Sequence, residues 1–275
     1  MNHAELKQKI RQSFNDAAIG YDKPAMRFFS ASADLLAQSM RLDGNQHILD
    51  IATGTGALAT ACAVRLPHGH VTGIDLSENM LAQAQAKALR LGLSNLTYKI
   101  MDMELLDFPA NYFDGACCGF GVFFLPDMQA ALKKVVYTVK PGACLALSSF
   151  STGLLEPLSI QFFNDMQRYG VPAPDMSWKR LDHPDKHRDL FHSADLERVE
   201  THEKQVGYYL SDVQQWWDVL WNTGFRGMLN QLSETDLSRF RDEHLAHIET
   251  YASEQGIWLD VRILLSVGYK QQSSP

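Results

Sequence analysis

The chain has 275 residues, of which 45% are apolar and 21% charged, and its net charge is −7. This length fits one large α/β domain carrying a cap, and the apolar fraction argues against disorder. No basic run exceeds two residues, as at Lys133-Lys134, which excludes the clustered cations of a nucleic-acid surface.

No stretch approaches the ~18 apolar residues of a membrane span. The polar start MNHAELKQKIRQSF has no apolar signal core. Cys62, Cys117, Cys118 and Cys144 lack C-x-x-C spacing and read as buried thiols. Together these features point to a cytoplasmic protein. No pattern bears on oligomeric state.

Residues 4–40 read as helix, broken near Gly20 and Pro24. Strand-length apolar runs then alternate with helical patterns: strands at 47–51, 70–75, 96–101, 113–120 and 143–150, with helices at 57–66, 77–91 and 128–139. Ser77 can cap the second of these helices and Gly92 can stop it. Such alternation implies right-handed crossovers and a doubly wound parallel sheet.

The rhythm changes after residue 150. Helix is expected at 154–169, a loop at 170–184, a short helix at 183–192 and a strand at 198–209. Helices at 211–222 and 233–252 follow, and a strand at 256–269 closes the chain. The two late strands should form an antiparallel edge hairpin with the helices inserted as a cap. Ser233 and Asp236 have the spacing of a capping box.

The first strand ends in LDIATGTGALA (49–59), which contains G-x-G-x-x-A. Gly54 and Gly56 let the backbone turn sharply from strand to helix and approach a ligand. The helix start then suits a pyrophosphate or a carboxylate. Asp50, four residues before Gly54, repels the first and attracts an ammonium group. Asp75 ends the second strand, 21 residues past Gly54, where a carboxylate accepts from ribose hydroxyls. Asp102 ends the third strand. It can accept from an adenine amino group while the backbone N–H of Met103 meets a ring nitrogen. A ligand with adenosine, amine and carboxylate is S-adenosyl-L-methionine, whose product is S-adenosyl-L-homocysteine. Ala52, Thr53, Leu76 and Met80 complete the expected cofactor-binding set.

These motifs resemble the class I S-adenosylmethionine-dependent methyltransferases, and in particular their ubiquinone/menaquinone C-methyltransferase-like group. FNDAAIGYD (14–22) resembles that group's N-terminal F-[DN]-x-x-A-x-x-Y-D; FPANYFDGACCGFGVFFLPD and VKPGACLALSSF resemble two later segments. Ala52 replaces the first glycine of the pattern. GVFFLPD replaces the Leu-Arg-Asn segment that quinone methyltransferases carry after FG. The resemblance implies a Rossmann-like fold with a mostly parallel seven-stranded sheet, an antiparallel edge strand and a helical cap. It also implies that Tyr21 folds over the cofactor as part of a lid, and that Gly119 and Phe120 line the methionine and methyl end.

Methyl transfer is an in-line displacement, so alignment is the protein's main task. N-P-P-Y after strand four is absent, which argues against amino-group methylation of adenine or glutamine. The acceptor pocket belongs beyond the strand C-termini, with Phe120, Phe123, Phe124, Phe150 and Trp217 as candidate walls. Val213, Trp216, Trp217, Leu220 and Trp221 share one helical face, which reads as an aromatic lid or as core. His183 and His187, with Asp182 and His192 nearby, read as a solvated charged helix, so no metal site is expected. His244 shares a face with Leu237, Phe240, Ile248 and Tyr251 and reads as a core histidine. No residue is identifiable as a general base.

The expected organisation is an N-terminal helical lid (1–40), a cofactor-binding core (41–150), and a segment (151–275) that completes the sheet and supplies an acceptor cap. The expected function is methyl transfer to a small apolar or aromatic acceptor. One alternative is a carboxyl O-methyltransferase acting on a carrier-bound acyl acid, for which Lys179, Arg180, Lys186 and Arg188 could form a docking patch. Another is a cofactor-binding protein without catalysis.

Overall fold

A computed structural model describes residues 3–174 and 176–272. Its centre is β1 (His47–Ile51), whose run HILDI is buried on both faces, as a strand inside a parallel sheet must be. β1 pairs in parallel with β2 (His70–Asp75) on one side and β4 (Phe113–Gly119) on the other. β3 (Leu96–Ile100) extends the first side, and β5 (Val139–Phe150) the second. The chain thus winds outward from β1 in both directions, which opens a crevice at the C-terminal ends of β1 and β4.

The remaining strands are β6 (Leu196–Gln205), β7 (Tyr208–Leu210), β8 (Ile257–Leu259) and β9 (Arg262–Lys270). The seven-stranded sheet has the order β3-β2-β1-β4-β5-β9-β6, and β9 is antiparallel to both neighbours. The reversed strand therefore lies one place in from the edge. Each of the two expected late strands divides in two. At Gly207 the chain leaves the main sheet, and a Cβ there would stand 2.4 Å from the carbonyl oxygen of Leu259. Beyond that point β7 and β8 form their own two-stranded ribbon, which leads into the inserted helices.

The helices are α1 (His3–Ala17), α2 (Phe28–Ser39), α3 (Ala57–Ala63), α4 (Glu78–Arg90), α5 (Met128–Thr138), α6 (Leu158–Arg168), α7 (Pro184–Ser193), α8 (Val213–Trp221), α9 (Arg226–Leu229) and α10 (Glu234–Glu249). Their starts follow the capping residues: Ser77, Asp127, Asp212 and Ser233 each accept a backbone N–H from the first turn. Within the expected loop at 170–184 there is a 3-10 turn, Ser177–Leu181. Arg180 from this turn donates to the carbonyls of Phe123, Leu125 and Pro126 and so clamps the segment after β4.

Two side chains sit differently from the sequence reading. His187 is not solvated but fully buried on α7. Its Nε2 lies 2.6 Å from Ser149 Oγ on β5, and its Nδ1 lies 2.8 Å from Ser266 Oγ on β9. Burial pushes its imidazole down to about 4, so it is neutral and pins the helix to the sheet. His187, Leu190 and Phe191 are the buried stripe of α7, of which only His187 falls within the charged run DHPDKHRD. Trp217 is the second. It stacks on Trp221 at 6.1 Å and packs against Phe240 at 6.4 Å, inside the cap, and it does not line the cavities at the C-terminal ends of the strands. A helix packed between two others needs that aromatic face as core.

His244 is buried, as expected, and also belongs to a polar chain. Trp216 Nε1–H donates to His244 Nε2 (2.9 Å), and His244 Nδ1 lies 2.8 Å from Asp165 Oδ2. This chain joins α8, α10 and α6. No helix among the described residues is long and apolar enough to cross a membrane. All four cysteines are buried and free.

Candidate active site

Three acids end three consecutive strands along one rim. Asp50, at the tip of β1, is fully buried; it accepts from Thr53 Oγ1 at 2.5 Å and from Cys117 Sγ at 3.6 Å. Burial raises its carboxyl to about 7, and the bonds from Thr53 and Cys117 oppose that shift. Asp75, at the tip of β2, accepts the N–H of Gly54 with Oδ2 and that of Ser77 with Oδ1, each at 2.8 Å. It thereby fixes the glycine loop against the next turn. Burial raises this carboxyl too, against the pull of those backbone donors.

Asp102, beyond β3, differs from expectation. Its Oδ1 accepts from the N–H of Glu104, and its Oδ2 is 2.5 Å from Lys7 Nζ on α1. The atom expected to meet an adenine amino group is therefore held by a lysine of the same chain.

The glycine loop has the geometry that close ligand approach requires. Gly54 has φ +55°, and a Cβ there would meet no protein atom within 4 Å, only the open cleft. Gly56 does not line the cleft. At φ +78° it caps α3, where a Cβ would come 2.7 Å from Tyr98 Oη and 3.0 Å from Ala84 Cβ. Ala52 adopts φ +51°, a conformation that glycine takes at lower cost.

Three hollows meet at this rim. The first, lined by Ala52, Gly54, Asp75, Leu76, Met80, Asp102, Met103 and Gly119, holds most of the expected cofactor set. A smaller one reaches Asp50 and Thr53 beneath the loop. The third is an apolar cavity of about 280 Å³. Phe120, Phe123, Phe124 and Phe150 line it, and Phe28, Phe29, Leu154, Trp178 and Phe225 join them. Tyr21 and Phe120 border all three.

Phe120 holds φ +57°, uncommon for a bulky side chain and typical of functional sites. It stacks on Phe150 at 4.4 Å. Tyr21 stacks on Phe29 at 4.8 Å, and burial, with Asp75 and Asp22 nearby, raises its phenol. Asp22, next in sequence, bonds Thr55 Oγ1 (2.8 Å) and Lys87 (2.8 Å), tying this segment to the glycine loop.

Helix α1 lies in the expected lid, 1–40, but none of its residues was singled out as a wall. Leu6, Ile10 and Phe14, spaced i, i+4, i+8, face the first hollow, and the last two also face the apolar cavity. That spacing was the available signal. Nothing local in the sequence marks Phe28, Trp178 or Phe225, because they reach the cavity from distant segments.

Comparison with known proteins bears on this rim directly. A methyltransferase-domain family matches residues 48–142. The aklanonic acid methyltransferase DauC of Streptomyces sp. is 30% identical over 150 residues, covering 54% of this chain and 68% of that protein. A demethylmenaquinone methyltransferase of Listeria monocytogenes is 35% identical over 135 residues, covering 49% of this chain and 56% of that protein. The chain thus spans little more than half the length of the latter. Among solved structures, the YcgJ protein of Bacillus subtilis superposes with a TM-score of 0.59 at 19% identity, covering 88% of this chain and 99% of that one.

Proposed function

Since the chain belongs to the class I S-adenosylmethionine-dependent methyltransferases, in their quinone C-methyltransferase-like group, we propose that it moves a methyl group to a small apolar or aromatic acceptor held in the phenylalanine-lined cavity. The observation that carries this reading is the meeting of the acid-tipped cleft and the apolar cavity at Tyr21 and Phe120. The residues fit the cofactor: Gly54 leaves open the space that any side chain would fill. S-adenosylmethionine, when bound, supplies a methyl group on a positively charged sulfur.

In this reading Asp50 faces the ammonium group and Asp75 the ribose. Leu76, Met80 and Met103 enclose the base. Gly119 leaves room at the end of β4. Phe120, Phe124 and Tyr21 exclude water where the hollows join, and they orient the acceptor at near-attack distance. Residues 1–40 serve as a lid, and the connection 222–225 between α8 and α9 supplies the far wall. Relatives named for aklanonic acid and demethylmenaquinone support a ring-bearing small molecule over a nucleic acid. Free thiols support a reducing compartment such as the cytoplasm.

Among the described residues lining the apolar cavity, Tyr21 alone is ionisable at its side chain, and its phenol is raised. This supports an acceptor that brings its own acidic hydroxyl or activated carbon. The carrier-docking alternative is not favoured, because three of the four cations of its basic patch are already engaged. Arg180 binds three carbonyls, Lys186 binds Asp182 at 2.6 Å and Arg188 binds Asp185 at 2.6 Å.

The test is incubation with labelled S-adenosylmethionine and a panel of phenolic, quinol and carboxylic acceptors, with products identified by mass. Label on phenols or quinols is expected. Label on carboxylic acids alone, or on none of the panel, contradicts the proposal.

A further inference from the structure

His3, Lys7, Arg11 and Asn15 stand at i, i+4, i+8 and i+12 on α1, and each bonds the rim beyond β2 or β3. His3 lies 3.1 Å from Glu104 Oε2. Lys7 Nζ bridges Asp102 Oδ2 at 2.5 Å and Glu104 Oε2 at 2.6 Å. Arg11 meets Glu78 at 2.9 Å, and Asn15 Oδ1 accepts from Ser77 Oγ at 2.6 Å. This polar stripe faces the rim, and Lys7 and Arg11 also line the first hollow beside Leu6, Ile10 and Phe14.

From this arrangement we infer that Lys7 is a positioning residue for the cofactor: it closes α1 over the cleft by holding Asp102, and it yields that carboxylate to the adenine amino group while staying on Glu104. The inference rests on the reading of the cleft as an S-adenosyl site. Two carboxylates within reach of one ammonium make such an exchange inexpensive, since Lys7 never loses its ion pair. Lys7 stays charged throughout: partial burial lowers its pKa, but the bonds to Asp102 and Glu104 outweigh that, and the net shift is upward. The exchange also explains why Asp102, at the expected position, has its outer oxygen covered.

A gate of this kind has a kinetic signature that a simple binding contact lacks. With Lys7→Met, both association and dissociation of S-adenosylhomocysteine should accelerate at least fivefold in stopped flow at low salt, with the Kd moving less than either rate. Lys7→Arg should restore wild-type rates. Glu104→Gln should slow association, because Lys7 then has only Asp102 to hold. The inference is overturned if Lys7→Met associates no faster than wild type, or if Glu104→Gln associates no slower. A wild-type chain that binds no S-adenosylhomocysteine overturns the cofactor reading as well, so the two failures are distinguishable.

Discussion

Ala52 and Gly121 share one space. A Cβ added at Gly121 would stand 2.7 Å from Ala52 Cβ and 2.8 Å from Cys118 Sγ. The methyl group that Ala52 carries in place of glycine is accommodated because the segment after β4 has no side chain opposite it. Gly121→Ala should therefore cost about 1–3 kcal/mol through overpacking. Adding Ala52→Gly should recover part of that loss, leaving the Cys118 contact and relieving the left-handed alanine. Denaturant unfolding of the two single variants and the double variant checks this. Strict additivity of the single effects contradicts the shared space.

Asp50 makes binding depend on pH. Its carboxyl is raised from 3.8 to about 7 by burial. The advantage of its neutral form is thus fully present below 3.8 and lost as the pH rises through about 7, so the ligand-free protein loses stability across that window. An ammonium ligand needs the anion. S-adenosylhomocysteine should therefore bind with proton release below neutrality, and its affinity should rise as the pH goes from 6 to 8. Calorimetry in buffers of different ionisation enthalpy reads the released proton. Asp50→Asn should abolish the release and weaken binding about 10- to 100-fold, the worth of a charged hydrogen bond.

The two groups of aromatic residues separate by function. Trp217→Leu should destabilise the cap by about 1–3 kcal/mol and leave the acceptor KM of the folded enzyme unchanged. Phe150→Ala, which opens the cavity opposite Phe120, should raise the acceptor KM. Steady-state kinetics beside melting curves tell these apart, and a raised KM in the Trp217 variant would return that ring to the acceptor wall.

If the acceptor supplies its own acid, no protein base is needed. Tyr21→Phe keeps the ring stacked on Phe29 and should lower kcat by less than about tenfold, below the usual contribution of a general base. Tyr21→Ala should lose far more by opening the junction.

How legible was this in the sequence? The placing of Asp50, Gly54 and Asp75 on one rim could be read because strand, turn and helix start are local signals. Lys7 and His187 could not. Their partners lie 95 and 79 residues away, and a charged helix shows its exposed face first. The aromatic stripe around Trp217 has the same period whether it covers a ligand or another helix, so only the position of α10 decides. The breaks at Gly207 and before β9 were hidden because a strand that changes sheets keeps its alternation.

Methyl transfer here requires that an S-adenosyl ligand bind in the cleft beneath the three acids. Calorimetric titration of the purified chain with S-adenosylhomocysteine, beside Asp75→Ala, measures it directly. One saturable site in the wild type and at least tenfold weaker binding in the variant is the predicted result. No heat in the wild type, or the same affinity in both, contradicts it.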